Sequence, residues 1–234
     1  MVSSAVKKYA ALCMVCLCSS LFFLGLYQFN NKYSQNTIQA ANGILALSEE
    51  ELQKSPVRFL VSGWAFYPDA LLTPEEIQDE SHYMRYLSIG EQTNFSSPAN
   101  PSPYGCGTYQ MTFFLPERKE AYALEIPEVF SAYNLYLDYD LILQMGEPAQ
   151  GTPLVQNRMV TFYGGKPVTL TIAVSNYDHF YGGIVYPPAF GTMLAVNTTR
   201  GIRFAFCLFD CTVTFVCALL SFYFSRRMKQ KNTF

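Results

Sequence analysis

One stretch of the sequence, residues 176–186, concentrates side chains that can bind a small ligand. It reads Asn-Tyr-Asp-His-Phe-Tyr-Gly-Gly-Ile-Val-Tyr and follows the clearest strand pattern in the chain. Aromatic rings offer flat apolar faces, and a few amide or imidazole groups fix a ligand's orientation. Asn176, His179, Tyr181 and Tyr186 are therefore candidate ligand-binding residues. The alternative is structural, with the tyrosines packed on the core and Asn176 satisfying backbone groups of a turn.

The other reactive residue types form no catalytic or metal-binding pattern. The two histidines, His82 and His179, lie far apart in the chain, and no cysteine pair has metal-ligand spacing. A glycosidase needs two facing carboxylates, whereas Asp138 and Asp140 straddle a predicted turn and are interpreted as solvated. We therefore expect no catalytic site, no metal and no cofactor, and a protein that is not an enzyme.

Two further aromatic candidates flank the one cysteine of the central region. Six of the 7 cysteines lie in the apolar ends of the chain, and only Cys106 lies between them, so no disulfide framework is expected there. Tyr104 and Tyr109 lie on either side of Cys106 at a predicted strand. They are candidates for ligand contact, with a position in the core as the alternative.

Charge excludes one class of partner. Residues 30–200 contain 9 basic and 17 acidic residues, which gives this region a net charge of −8. Nucleic-acid binding requires a basic surface. We therefore expect no nucleic-acid partner.

An apolar segment lies near each end of the chain. Basic residues flank each segment on the side nearer the terminus. Residues 9–27 are 19 uncharged residues preceded by two lysines, and residues 204–224 are 21 residues with one charge followed by four basic residues. About 20 apolar residues span a bilayer core, and basic flanks stay cytoplasmic. These patterns predict a plasma-membrane protein, with the lipid bilayer as a partner, both termini cytoplasmic and the central domain extracytoplasmic.

The composition shifts divide the chain into five parts. Residues 1–29 are an N-terminal membrane helix or signal anchor, residues 30–43 a linker and residues 44–200 an extracytoplasmic domain. Residues 201–225 are a second membrane helix, and residues 226–234 are a basic cytoplasmic tail. A cleaved signal peptide is the alternative for the first part, in which case the N-terminus is removed, although small residues are scarce after its apolar core.

Asp210 is the one charge inside the second apolar segment. A carboxylate at the bilayer centre costs about 2.5–3.5 kcal/mol on insertion scales. We interpret Asp210 as a contact with another membrane helix, either the first helix, a second copy of the chain in a homodimer, or a separate protein. The alternative is a carboxylate near the outer interface. The short connection at 197–201 would let a shift of the domain reach the helix.

Short alternating runs separated by turn residues predict the fold of the central domain. Residues 72–77 predict a helical turn capped by Thr73, with Pro74 at its first position, and residues 93–105 predict a surface loop. No sustained helical period is present in the domain. Strands are expected at 57–61, 63–67, 108–115, 121–126, 132–137, 140–144 and 168–174. The fold class is therefore mainly β: an antiparallel jelly-roll sandwich flanked by an N-terminal and a C-terminal transmembrane helix.

An ordered series of short motifs combines aromatic, glycine and proline residues, at 63–67, 71–75, 105–109, 114–116, 126–127, 131–136, 174–177, 182–183 and 191–192. Together they resemble the galactose-binding-like jelly-roll sensor domain of bacterial seven-transmembrane receptors with diverse intracellular signalling modules. The resemblance covers residue 43 to the second apolar segment. It adds Asn134, in the hairpin motif, to the candidate ligand-binding residues.

The resemblance implies a ligand-sensing module that binds a small molecule such as a sugar. The chain departs from the receptor pattern because Phe234 follows soon after one membrane helix, which leaves no room for six more helices or an output domain. Cys106 also replaces an expected aromatic residue, and Tyr139 replaces a turn glycine. Three functions therefore stay open: a sensing module without its output domain, an assembly protein that uses the jelly roll for protein contacts, and a truncated receptor fragment.

Overall fold

The computed structural model describes residues 4–33, 37–79, 82–90, 95 and 102–231. Within this part of the chain the helices are α1 (Ser4–Asn30), α2 (Glu49–Lys54), α3 (Pro74–Asp79) and α4 (Met193–Lys231). The strands are β1 (Ile44–Ala46), β2 (Val57–Phe59), β3 (Trp64–Pro68), β4 (Arg85–Leu87), β5 (Gly105–Phe114), β6 (Tyr122–Ile126), β7 (Ala132–Leu137), β8 (Asp140–Met145), β9 (Arg158–Phe162), β10 (Val168–Asn176) and β11 (Ala189–Thr192).

The strands form two sheets that pack face to face. The larger sheet has the order β4-β3-β5-β10-β7-β8, and β1 also pairs with β5. The smaller sheet has the order β2-β11-β6-β9. All of these pairings are antiparallel except that of β1 with β5. The predicted mainly β fold with two antiparallel sheets is confirmed.

Aromatic rings from both sheets meet in the core. Phe190 of β11 lies 5.1 Å from Phe113 of β5, between ring centroids, and 5.8 Å from Tyr122 of β6. Phe162 of β9 completes the group at 6.1 Å from Phe190. Trp64 of β3 is fully buried, as predicted, and its indole N–H donates to the Leu60 carbonyl at 3.0 Å. Buried aromatic area of this kind is the main source of stability for such a domain.

The predicted hairpin and the predicted helical turn are both present. Strands β7 and β8 are joined through Asp138 and Tyr139, and only Asp138 has a positive φ, of 54°. The turn therefore differs from the type with positive φ at both central residues, which explains how the bulky Tyr139 fits. The hydroxyl of Thr73 accepts from the Glu76 backbone at 3.4 Å, which caps α3 as predicted.

The structure adds detail to the first half of the domain. The strands predicted at 57–61 and 63–67 are present as β2 and β3, and they lie in different sheets, β2 in the smaller and β3 in the larger. Helix α2 was not predicted, although Ser48 and Glu51 form a reciprocal capping box at its start. The short strands β1, β4, β9 and β11 were also missed, and the predicted loop at 93–105 lies largely outside the described residues.

Helix α4 begins earlier than the sequence indicated. It starts at Met193, directly after β11, so residues 197–201 belong to the helix and form no connecting segment. Among the described residues one helical segment, Met193–Tyr223, is long and apolar enough to cross a membrane, and the apolar part of α1, Leu12–Gln28, is shorter. The first turns of α4 pack on the smaller sheet, where Val196 is buried, whereas residues 204–223 are exposed.

The ring cluster between the sheets generates a prediction about stability. Phe113→Ala removes a fully buried ring that touches Phe162 and Phe190, so it should lower the free energy of unfolding by about 3–5 kcal/mol. Phe114→Ala, at the next position on the same strand, is the control because Phe114 is 43% exposed, and it should cost about 1 kcal/mol or less. Denaturant unfolding of the full chain in detergent measures both, and equal losses would contradict the sandwich packing.

Candidate functional site

The segment 176–186 is held in place by one buried amide. Asn176 is 1% exposed, and its side-chain NH2 donates to the carbonyls of Pro103 at 2.8 Å and His179 at 2.6 Å. Its Oδ1 accepts from the His179 backbone N–H at 3.1 Å. The backbone N–H of Tyr181 in turn donates to Nδ1 of His179 at 3.0 Å. Asn176 therefore shapes the segment and is shielded from a ligand, as the structural alternative for this residue predicted.

The rings of residues 176–186 lie beside Phe130, which belongs to the loop before β7. The His179 ring stacks on Phe130 with centroids 4.6 Å apart and planes 8° apart. Tyr181 lies 5.9 Å from Phe130 and 5.6 Å from His179. Phe180 extends this surface and is 74% exposed. We call Phe130, His179, Phe180 and Tyr181 the aromatic patch.

Phe130 is the member that the sequence did not indicate, because it precedes β7 and is far from the segment in the chain. The two loops are joined beside it: the hydroxyl of Ser131 accepts from the Gly183 backbone N–H at 3.0 Å. Gly183 has a φ of 79°, and a Cβ atom there would lie 2.4 Å from the Tyr109 hydroxyl. A residue with a side chain would therefore push the loop off its support.

The aromatic patch lies at the end of the sandwich where α1 meets the domain. Phe130 and Tyr186 line a cavity of about 810 Å³ together with Phe23, Leu26 and Tyr27 of α1, and with Asn31, Lys32, Tyr33 and Glu128. The hydroxyl of Tyr33 donates to the Val185 carbonyl at 2.8 Å, which ties the segment after α1 to residues 176–186. We call this end of the domain its base.

Tyr186 belongs to the base but not to the stacked rings. It is 36% exposed, and the Nζ atom of Lys32 lies 5.8 Å from its ring centroid, within cation–π range. Tyr104 is 49% exposed and follows Pro103, whose carbonyl accepts from Asn176, so it lies beside the segment. Both residues remain accessible to a ligand.

Of the two remaining candidates, the structure corrects Tyr109, for which a core position was the alternative, and leaves Asn134 untested. Tyr109 is 3% exposed and packs against Trp64 and Phe66. Burial raises its pKa to about 12. Tyr109 therefore lies in the core, beneath residues 176–186. Strand alternation explains this, because Tyr109 is on the inner face of β5. Asn134 is half-buried in the middle of β7, on the opposite face from Tyr133 and Leu135, and among the described residues its Oδ1 has no hydrogen-bond partner. It stays a candidate.

Asp210 lies where α1 and α4 approach each other. It lines a cavity of about 270 Å³ with Phe22 and Leu26 of α1 and with Arg203, Phe206, Cys207 and Phe209 of α4. Of the neighbours that the sequence left open, α1 is therefore the one beside it in this structure. Thr214, one turn further on, donates its hydroxyl to the Asp210 carbonyl at 2.8 Å.

Among the described residues, no group of three or more histidine, cysteine, aspartate or glutamate side chains could hold a metal ion. The base instead combines exposed rings with a few polar groups. Such an arrangement can stack on an apolar or sugar-like face and orient it through hydrogen bonds.

The fold and the site define a β-sandwich domain with an aromatic surface on its loops. No protein-family profile and no curated protein sequence matches the chain. A beta-glucuronidase from Faecalibacterium prausnitzii is similar in structure, with 17% identity, a TM-score of 0.42, and coverage of 59% of this chain and 32% of that chain. A beta-glucuronidase from Ruminococcus gnavus has 12% identity, a TM-score of 0.42 and coverage of 65% and 30%.

A glycosyl hydrolase family 2 member from Bacteroides cellulosilyticus is also similar, with 12% identity and a TM-score of 0.47. The match covers 58% of this chain and 20% of that chain. This chain thus spans a third or less of these enzymes, and their activity is not carried over to it.

The role of Asn176 generates a prediction. Asn176→Ala leaves the His179 N–H and two carbonyls without their partner, so it should destabilise the domain by about 1–3 kcal/mol and loosen the aromatic patch. Asp178→Ala, on an exposed neighbour, should change stability by about 0.5 kcal/mol or less. Thermal unfolding and amide exchange of residues 176–186 measure the two effects. Unchanged exchange in the Asn176 variant would contradict the role.

Proposed function

We propose that this protein is a non-enzymatic, membrane-anchored binding module whose β-sandwich senses a small ligand on the extracytoplasmic side. The ligand has at least one apolar face, and a sugar fits that description. Helices α1 and α4 would lie in the plasma membrane with both termini cytoplasmic. The sequence resemblance to a receptor sensor domain and the apolar segment Met193–Tyr223 support this proposal.

The binding proposal is based on the aromatic patch. Its rings are preorganised by the Asn176 hydrogen bonds and by the Phe130–His179 stack, so little conformational entropy is lost when a ligand docks. The patch is built from loops on a rigid sandwich, which is where binding residues concentrate in such folds.

The position of the patch favours sensing over simple capture. Phe130 shares a cavity with Phe23, Leu26 and Tyr27 of α1, so a ligand on the patch would lie next to that helix. Strand β11 is hydrogen-bonded to β2 and β6 on its two edges and continues directly into α4. A shift in the smaller sheet would therefore move α4.

An assembly role is the second candidate, and strand β8 favours it. Among the described residues β8 ends the order of the larger sheet, so its outer edge is unpaired. Leu141 and Ile142 on this strand are 49% and 48% exposed. An apolar edge of this kind can pair with a strand of another chain.

A panel of mono- and disaccharides tested against the full chain in detergent, at millimolar concentration by saturation-transfer NMR, checks the proposal. At least one sugar should bind, and Tyr181→Ala should weaken its binding about tenfold because a stacking face is lost. Tyr139→Ala is the control, since Tyr139 is 56% exposed but lies in the β7–β8 turn at the far end of the sandwich.

The absence of any bound sugar, or equal binding by the Tyr181 variant and the wild type, would count against the proposal. If no sugar binds and the full chain self-associates in the same detergent, the assembly role takes its place.

A further inference from the structure

Three cationic side chains converge at the base of the sandwich from two different parts of the chain. Lys32 follows α1, while Arg200 and Arg203 lie one turn apart on the same face of α4. All three line one cavity of about 390 Å³, together with Phe59, Glu125, Pro127, Glu128, Asn157, Pro187, Ala189 and Phe204. We call this cavity the basic pocket.

Aromatic contacts hold two of the cations in position. The Arg203 guanidinium carbon lies 5.0 Å from the centroid of the Phe59 ring, and the Nζ atom of Lys32 lies 6.0 Å from the same centroid. Phe59 is buried at the end of β2, so it is a fixed platform. Two cations beside one ring repel each other, and an anion between them would relieve that repulsion.

Lys32 and Arg203 are partly buried, whereas Arg200 is exposed. Among the described residues no ion pair joins Lys32, Arg200 or Arg203 to a carboxylate. The Nε atom of Arg203 is buried and has no hydrogen-bond partner in that part of the chain. Burial and then the charge of Arg203 lower the pKa of Lys32, although Glu128 and Glu125 oppose the shift.

The charge of the pocket suits one singly charged anion. Three cations and the two carboxylates Glu125 and Glu128 leave one excess positive charge. Glu125 accepts from the Asn157 side-chain amide at 3.0 Å. Guanidinium groups bind phosphate oxygens through paired hydrogen bonds, and a phosphodiester carries one negative charge.

The apolar wall of the pocket indicates where the phosphate comes from. Phe204 lines the pocket, is 71% exposed, and is the first residue of the apolar run 204–224. A lipid with its phosphate between Lys32 and Arg203 would thus have its acyl chains along α4. Lysine and arginine residues are usually in excess on the cytoplasmic side of membrane helices. The cations on the outer flank of both helices depart from this pattern, and a headgroup site explains their position.

We propose that the basic pocket binds the phosphodiester group of an outer-leaflet anionic phospholipid through Lys32, Arg200 and Arg203. The lipid would hold the base of the sandwich against the membrane and fix the separation of α1 and α4. This inference rests on the proposed membrane placement of the chain, but the chemistry of the pocket does not depend on insertion.

Native mass spectrometry of the full chain in nonionic detergent tests the inference with three probes and a blank. The probes are dioctanoyl-phosphatidylglycerol, dioctanoylglycerol and inorganic phosphate, and the blank has no addition. We expect phosphatidylglycerol to bind in preference to dioctanoylglycerol, which lacks the phosphate. Arg203→Gln and Lys32→Gln should each weaken phosphatidylglycerol binding about tenfold, and added salt should weaken it further.

Arg118→Gln is the matched control, because Arg118 pairs with Glu49 at 3.1 Å near the start of β6, at the opposite end from the base. It should leave lipid binding unchanged. If inorganic phosphate binds as tightly as the lipid and Arg203→Gln removes it, the phosphate site stands and a free phosphate is its ligand.

Equal binding of phosphatidylglycerol and dioctanoylglycerol would overturn the inference. So would an affinity within twofold of the wild type in both the Arg203 and Lys32 variants. Extraction of the full chain from membranes by alkaline carbonate separates this failure from failure of the proposed membrane placement. The sugar-binding measurement likewise separates it from failure of the aromatic patch.

Discussion

The packing of Phe190 between the two sheets is the interaction on which the rest of this structure depends. Its ring touches Phe113 of the larger sheet and Tyr122 and Phe162 of the smaller one, and it is fully buried. Phe190 also lies on β11, three residues before α4 begins. One buried side chain therefore joins the sheets and fixes the point from which the long apolar helix departs.

The base of the sandwich follows from that arrangement. Because α4 turns back from Thr192 along the smaller sheet, Arg203 arrives beside Phe59, and Lys32 arrives there from α1. The aromatic patch lies at the same end, since Phe130 shares a cavity with α1. We propose that this end, with its rings and its cations, faces the membrane surface. Interfacial aromatic residues and lysine or arginine side chains are typical of that position.

Local patterns in the sequence predicted much of the fold but little of the site. The alternation of 168–174 and the turn at Asp138 identified strands correctly, because both are local features. Strand β11 was missed because it is short and contains Gly191. Tyr181 and His179 were found from composition, whereas Phe130 and Arg203 reach the base only through tertiary packing. Tyr109 was misplaced because exposure depends on which face of β5 meets the smaller sheet.

Quenching by lipids brominated on their acyl chains, measured on the full chain in liposomes, tests the orientation of the base most directly. Phe180→Trp places a reporter in the aromatic patch, and Tyr139→Trp places one in the β7–β8 turn, about 20 Å away along the strands. Trp64 is buried and supplies a constant background. We expect stronger quenching of the residue 180 reporter than of the residue 139 reporter. Equal quenching of both, or quenching of the residue 139 reporter alone, would contradict the proposed orientation.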